Sequence, residues 1–541
     1  EVAFCAPLWE FRADRAAMPL AALCWDGGVA AAAVEPYSES EAGIIRNGVF
    51  AALPDAFGIS LGYTNDPTTF KNRSTPAPST RSMACKAQTS GRIYLHSGPR
   101  TELHEIIRQE YARHQDRALP HNTLRQAVQG MLDTFAYQNF DAVAGEYTNR
   151  CCRPPRETEM RPWRLVTEIG WTGGGVLAYP LVLCRDALGA DAEAPLAAAM
   201  SGEQLFDRIA DAYNENSGLL NDLMAPNAAG SQVNGWWTGY GLVKDCHCAY
   251  TVGSAVHYLT KTMDYLHQNG KPCPAKWMDA AQKVLHTVMD LQRADGAFGY
   301  TYSTQERKVL DWSGFAGCWF VPALVYLYRL TGEERCLHSA EKALDYYHTF
   351  VKDLNCYGTP MDTWKAVDEE GNLAFMRGSR LLYEQTGKAE FLQYMKDSAG
   401  YEFLWRYGYK TYPEHTPLNQ GWSACGGAVT SVSNPHIHPM GVIIDTDLRY
   451  LARVTGDGYY ASRAADSAAW MLQCLELYPA ATGYGRYGIL SERWCPSDGL
   501  DVERFSDGRP FSSWFSHNLW ASACVLEAAC ELLLESEHKK G

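Results

Sequence analysis

"FAGCWFVPALVYLYRLTG", residues 315–332, is a compact, almost uncharged run that closes on Thr-Gly. A helix that is apolar on every side belongs inside a protein, and a glycine just past its end accepts the left-handed geometry that stops it. The same pattern recurs as "GGGVLAYPLVLCRDALG" (173–189), "YTVGSAVHYLTKTMDYL" (250–266), "NLAFMRGSRLLYEQTG" (372–387), "GVIIDTDLRYLARVTG" (441–456) and "SHNLWASACVLEAACELLL" (516–534). Between these runs lie helices of one-sided amphipathicity: "HNTLRQAVQGMLDTFAY" (121–137), "EQLFDRIADAYNEN" (203–216), "AKWMDAAQKVLHTVMDLQ" (275–292), "LHSAEKALDYYHTFV" (337–351), "EFLQYMKDSAGYEFLW" (390–405) and "YYASRAADSAAWMLQCL" (459–475). Six apolar helices alternating with six amphipathic ones imply an inner and an outer ring. The expected architecture is an (α/α)6 toroid of six helical hairpins over residues 120–541; an open superhelical solenoid is the competing arrangement. Long Gly- and Trp-rich loops precede the inner helices, so a toroid gathers them at one end, around a funnel.

Residues 1–100 read differently. Short apolar runs such as "PLAALCWDG", "GIIRNGVFAAL", "FGISLGYT" and "GRIYLHSG" are set off by Gly, Pro, Asn and Asp, the punctuation of strands and turns. They predict a β-rich, β-sandwich-like unit, cut short at its N-terminus because its opening strand has no start signal. The polar stretch 66–90 reads as a long loop, and 101–119 as a linker helix. In bulk the chain is long enough for two domains with a large core, at 541 residues. Acids outnumber Lys plus Arg by 62 to 48, which argues against nucleic acid as a partner. The sequence holds no apolar run long enough to span a membrane. The 17 cysteines lack paired zinc spacing and read as free thiols in a reducing cytoplasm; secretion stays open. No cofactor and no metal is expected.

Nearly every loop before an inner helix holds a carboxylate near a tryptophan. The first has Glu168 between Trp163 and Trp171. The second has Trp236, Trp237, Asp245 and His247. The third has Asp295, Asp311 and Trp312, and the fourth Asp362 and Trp364. The fifth has Trp422, His436 and His438, and the sixth Glu492, Trp494, Asp501 and Glu503. Any one of these acids could be a helix cap, and either histidine a buried partner for loop backbone. As a set, acids with aromatic walls at one mouth suit an oligosaccharide or glycoside. Glycoside hydrolysis needs two carboxyl groups, one to protonate the leaving oxygen and one to activate water or attack the sugar.

"TEIGWTGG" (167–174) resembles the Asp-Glu-Arg-Leu-Gly-Trp-Thr-Gly-Asp run of the inverting α-L-rhamnosidases of glycoside hydrolase family 78. "SERWCPSDG" (491–499) followed by "SSWFSHNLWAS" (512–522) resembles that family's Trp-Glu-Arg-Trp and later Ser-Phe-Asn-His, and "DWSG" (311–314) its Gly-Asp-Trp element. The resemblance covers these motifs and the order of β-rich unit then toroid. Ile169 stands where the family has Arg, and Gly174 where it has Asp. The resemblance therefore implies a clan-level relative whose sugar is open, with Glu168 as general acid and Glu492 as general base. Trp171, Trp237, Asp245, Asp311, Trp312, His436, Trp494, Asp501 and Glu503 are the candidate substrate-binding residues, with Trp171, Trp237, Trp312 and Trp494 expected to face the mouth. Inversion asks for carboxyls about 6.5–9.5 Å apart. The alternatives are an unsaturated-uronide hydrolase or polysaccharide lyase on the same toroid, the lyase with His436 as base, and a non-catalytic carbohydrate-binding protein.

Overall fold

The computed structural model describes residues 9–538 apart from 41–42, 47, 54–55, 61–68, 71–72, 75–89, 115, 152–160, 163–166, 171–173, 225–234, 239–240, 360–364, 413–420, 433, 478–486 and 496–515. In the N-terminal part, Gly28–Val34 is the centre of a three-stranded antiparallel sheet, flanked by Leu20–Trp25 and Gly91–Ser97. Trp9–Arg12, Val49–Leu53 and Ala56–Ser60 form a second antiparallel sheet, and Tyr37–Ser40 pairs with Gly43–Arg46. Helix α1 (Glu102–His114) lies against the central strand. It is pinned there by Arg92, which donates to Glu110 at 2.7 and 2.6 Å and to Glu35 at 2.7 Å. The helix is shorter than the expected linker; residues 116–119 are irregular.

Helices α2 (Leu124–Thr134) to α14 (Leu519–His538) build the rest. The inner members are α3 (Gly175–Leu188), α6 (Ala249–Gln268), α8 (Phe320–Thr331), α10 (Glu370–Thr386), α12 (Asp445–Thr455) with its 3-10 lead Met440–Ile444, and α14. The outer members are α2, α5 (Gly202–Asp211), α7 (Ala275–Asp290), α9 (Glu334–Lys352), α11 (Ala389–Glu402) and α13 (Gly458–Cys474), with a short insert α4 (Glu193–Ala198). Each inner helix packs on the next, and α14 packs extensively on α3. The ring therefore closes, which an open solenoid does not do.

Local chemistry sets the helix ends. Thr123 and Ser201 cap α2 and α5 with reciprocal bonds to Gln126 and Gln204. The three Thr-Gly signals end α8, α10 and α12 on Gly332, Gly387 and Gly456 at φ of 73°, 66° and 70°, where a Cβ is unfavourable. The sheet region is tied to the ring by main-chain and ionic contacts. Gly408 N donates to Ala17 O at 3.1 Å, Tyr409 donates to Ala16 O at 2.9 Å, and Arg108 pairs with Asp457 at 2.6 Å.

Candidate functional site

The first turns of the inner helices converge at one end of the ring, where the long loops also lie. From α6, the Tyr250 hydroxyl reaches the Met440 sulfur at 3.9 Å. These residues come from the second and fifth members of a six-membered ring, so the contact crosses the axis and forms a floor beneath the loops. Trp319 stands edge-on to Tyr250, with ring centres 5.7 Å apart. Burial first, then the charge and hydrogen bond of Glu370 at the start of α10, hold the Tyr250 phenol protonated well above its usual range.

One side of this floor is built by strand Asn434–His438. Side chains alternate along a strand. Ile437 turns outward, where it packs near Trp470 and pairs through its backbone with Trp494 at 2.9 and 3.0 Å. His436 and His438 take the other face, and the His438 ring stacks at 6.0 Å on Trp520, in the first turn of α14. The His438 Nδ1 lies 2.7 Å from the His436 carbonyl. A carbonyl only accepts, so Nδ1 carries the hydrogen and Nε2 the lone pair of the neutral ring. The backbone pairing places Glu492 and Arg493 beside this strand. Both are buried, with Oε2 and Nε 3.8 Å apart.

Behind the floor is a shell of buried acids. Asp368 and Glu369, just before α10, are fully buried. Burial, reinforced by the Glu370 charge, pushes Asp368 well above the carboxylate range; burial and Glu402 do the same to Glu369. Arg406 neutralises part of this shell. It donates to Glu402 at 2.7 and 3.1 Å, to Asp445 at 2.9 Å and to the Gly441 carbonyl at 2.8 Å. Burial still outweighs Arg406 at Asp445, whose pKa rises to about 7. Burial thus raises Asp368, Glu369 and Asp445 alike, with Arg406 opposing it at Glu369 and Asp445.

The entry to α6 is fixed separately. His247 bridges Asp222 at 2.7 Å and Ser217 at 2.9 Å. Asp222 in turn accepts from Cys248 N at 3.1 Å and from the Thr251 hydroxyl. All three side chains of this Ser-His-Asp chain are buried, so it clamps the first turn that carries Tyr250.

The expected residues fall into three groups. Glu492 lies two residues before Trp494, whose backbone pairs with the strand that carries His436, and both side chains are buried. Asp311 and Trp312 lie on the rim. Burial raises Asp311, but Lys365 at 2.6 Å and Ser313 outweigh it and keep its carboxyl below the usual range. Trp312 is half-buried under the Arg293 guanidinium, 5.2 Å from its ring centre. Asp245 is exposed in a left-handed turn at φ 58°. Trp494 does not face the mouth. It is 0% exposed and edge-on to Trp470 of α13 at 5.3 Å, because its backbone pairs with the outward-facing Ile437. Glu168 and Trp237 sit on strands Thr167–Glu168 and Gly235–Thr238, with side chains outside the described residues; Trp171, Asp501 and Glu503 lie wholly outside them. Among the described residues no group of three or more His, Cys, Asp or Glu has a metal-binding arrangement, and no helix is long and apolar enough to cross a membrane.

Tyr250, Glu370 and Trp520 were not singled out as site residues from sequence, and His438 was named there beside His436 as a loop histidine or a buried partner for loop backbone. Their shared signal is position: all but His438 lie in the first two residues of an inner helix, and His438 is two residues before the Met440 lead-in.

No protein-family profile matches the chain, and no curated protein matches it. Solved structures do. A sugar epimerase from a ruminal bacterium is 10% identical with a TM-score of 0.50, the match covering 76% of this chain and 98% of that one. Cellobiose 2-epimerase from Spirochaeta thermophila is 11% identical with a TM-score of 0.50, covering 81% and 98%. The cellobiose 2-epimerase of Bacillus thermoamylovorans is 11% identical with a TM-score of 0.50, covering 76% and 98%. At such identity the likeness is one of fold, and the fold it supports is the helical toroid.

Proposed function

We propose that the chain is a carbohydrate-active enzyme: an inverting glycoside hydrolase with Glu492 as the base that activates water and Glu168 as the acid at the leaving oxygen. The observation that carries this reading is the setting of Glu492. It is a buried carboxylate beside Arg493, on the segment that pairs with the His436–His438 strand next to Trp520. Arg493 sets a positive charge beside the Glu492 carboxyl, and the buried Trp520 ring backs the strand through its stack on His438. Asp311 and Trp312 are proposed to meet more distant parts of the substrate from the rim, and rhamnoside-like specificity is the finer part of the proposal. The toroid fold, shared with sugar epimerases, supports a sugar substrate. Screening nitrophenyl glycosides, an α-L-rhamnoside among them, tests the reading. Turnover that falls by about 10²–10⁴-fold in both Glu492→Gln and Glu168→Gln supports it; no turnover of any glycoside counts against it.

One observation favours a second reading. In its neutral form His438 carries the lone pair on Nε2, which suits proton transfer at the carbon next to the carbonyl of a free sugar, as an epimerase requires. Deuterium uptake from solvent into a recovered free sugar would favour this reading over hydrolysis.

A further inference from the structure

The ring axis has a second compartment. Below the Tyr250–Met440 floor, Tyr258 donates to Glu527 at 2.8 Å, and Lys261 is held by Glu527 and by Glu531, the latter at 2.8 Å. Beyond this layer, toward the C-terminal ends of the inner helices, lies a cavity of about 310 Å³ lined from all six of them. Its polar groups are already fixed. Arg377 donates to Asp447 at 2.8 Å and to Ile443 O at 2.9 Å. Arg380 donates to Asp447 at 3.1 Å and Glu384 at 2.9 Å, and Arg329 to Glu384 at 2.7 Å. Three guanidinium groups carry roughly fifteen N–H donors, and these five bonds use only a minority of them. The Arg329 Nε is buried without an acceptor.

Two further features narrow the ligand. The four lining cations, Lys261, Arg329, Arg377 and Arg380, are matched by four lining carboxylates, Glu384 and Glu531 among them. With Asp447 and Glu527 also paired to these cations, the wall has no excess positive charge to draw an anion. Tyr179, Tyr265 and Tyr326 add aromatic surface to the wall. Groups that donate and accept side by side next to aromatic rings match a molecule whose hydroxyls do both. The volume lies at the small end of ligand pockets, about 300–1,000 Å³, which suits one ring and not a chain.

We propose that this cavity is a second carbohydrate site, taking a single neutral hexose-sized ring at the end of the toroid opposite the mouth. Because ion pairs hold the wall in place before the ligand arrives, little side-chain ordering remains to oppose binding. The site does not depend on the chemistry assigned to the mouth.

Isothermal titration of the full chain with D-glucose, D-mannose, L-rhamnose and inorganic phosphate tests it. The variants are Arg329→Lys, which loses the fork of donors, and Gln268→Trp, which fills the rim from an exposed position. The expected result is saturable binding of at least one sugar, weakened tenfold or more in both variants. Should Arg329→Lys fail to fold, Gln268→Trp decides alone. Absence of sugar binding, sugar binding equally strong in the folded variants, or a preference for phosphate overturns the proposal.

Discussion

Replacing Asp445 by Asn probes the buried acid shell that supports the mouth. An ordinary aspartate ionises near 3.8, and in the fold burial outweighs Arg406 to lift Asp445 to about 7. A folded value above the unfolded one means that the native state binds the extra proton between roughly pH 4 and pH 7. Stability contributed by this group is therefore present at low pH and is lost as pH rises through about 7. The interval is roughly three pH units at ~1.4 kcal/mol each, so the full swing is about 4 kcal/mol. Asparagine has no proton to lose. It costs a hydrogen bond to a charged partner, about 1.5–3 kcal/mol, at every pH. In urea unfolding at pH 5 and pH 8, the stability of Asp445→Asn relative to the parent should rise by about 3 kcal/mol from the lower pH to the higher, the part of the swing that lies between pH 5 and pH 7. Comparing the variant with its parent at each pH cancels other titrating groups, such as the buried His104 and His517, whose pKa values burial lowers to about 4 and about 3. A deficit that is constant, or that grows with pH, would show Asp445 to be an ordinary ionised partner of Arg406 and refute the reasoning.

Arg406→Met should cost about 3–5 kcal/mol, because it strands buried carboxyls without their cation; guanidinium denaturation at pH 7 measures it. Trp520→Ala should cost about 3–5 kcal/mol, because it removes a ring that is 3% exposed and stacked on His438; urea unfolding measures it. Gly387→Ala should lower stability by about 1 kcal/mol even though a Cβ there meets nothing within 4 Å; the cost is the left-handed backbone at φ 66°, read as a small fall in Tm.

The ring was legible because burial on all sides leaves a signature that no loop can disguise. The runs at 315–332 and 372–387 carry it, together with the Thr-Gly stops whose left-handed glycines end the helices. What stays hidden in sequence is direction. Trp494 and Trp520 look alike in a motif, yet one is turned outward onto Trp470 by pairing with Ile437, and the other stacks on His438. The Asp368-Glu369-Glu370 run resembles a solvated loop end. Only closure of the ring puts two of these acids into full burial and the third against Tyr250. The Asp222–His247–Ser217 clamp is similarly invisible, since its members come together across thirty residues of intervening loop. Strands in the N-terminal part were readable from short apolar runs set off by Gly, Pro, Asn and Asp, whereas the way its small sheets assemble depends on contacts that a local pattern does not encode.

The measurement that tests the central claim most directly is the anomeric configuration of the first-formed product, followed by NMR as the enzyme cleaves its best glycoside, with Glu492→Gln run beside it. The account predicts a product of inverted configuration and a Glu492→Gln protein that folds normally but turns over at least a hundredfold more slowly. A product of retained configuration, or undiminished turnover by Glu492→Gln, would contradict it.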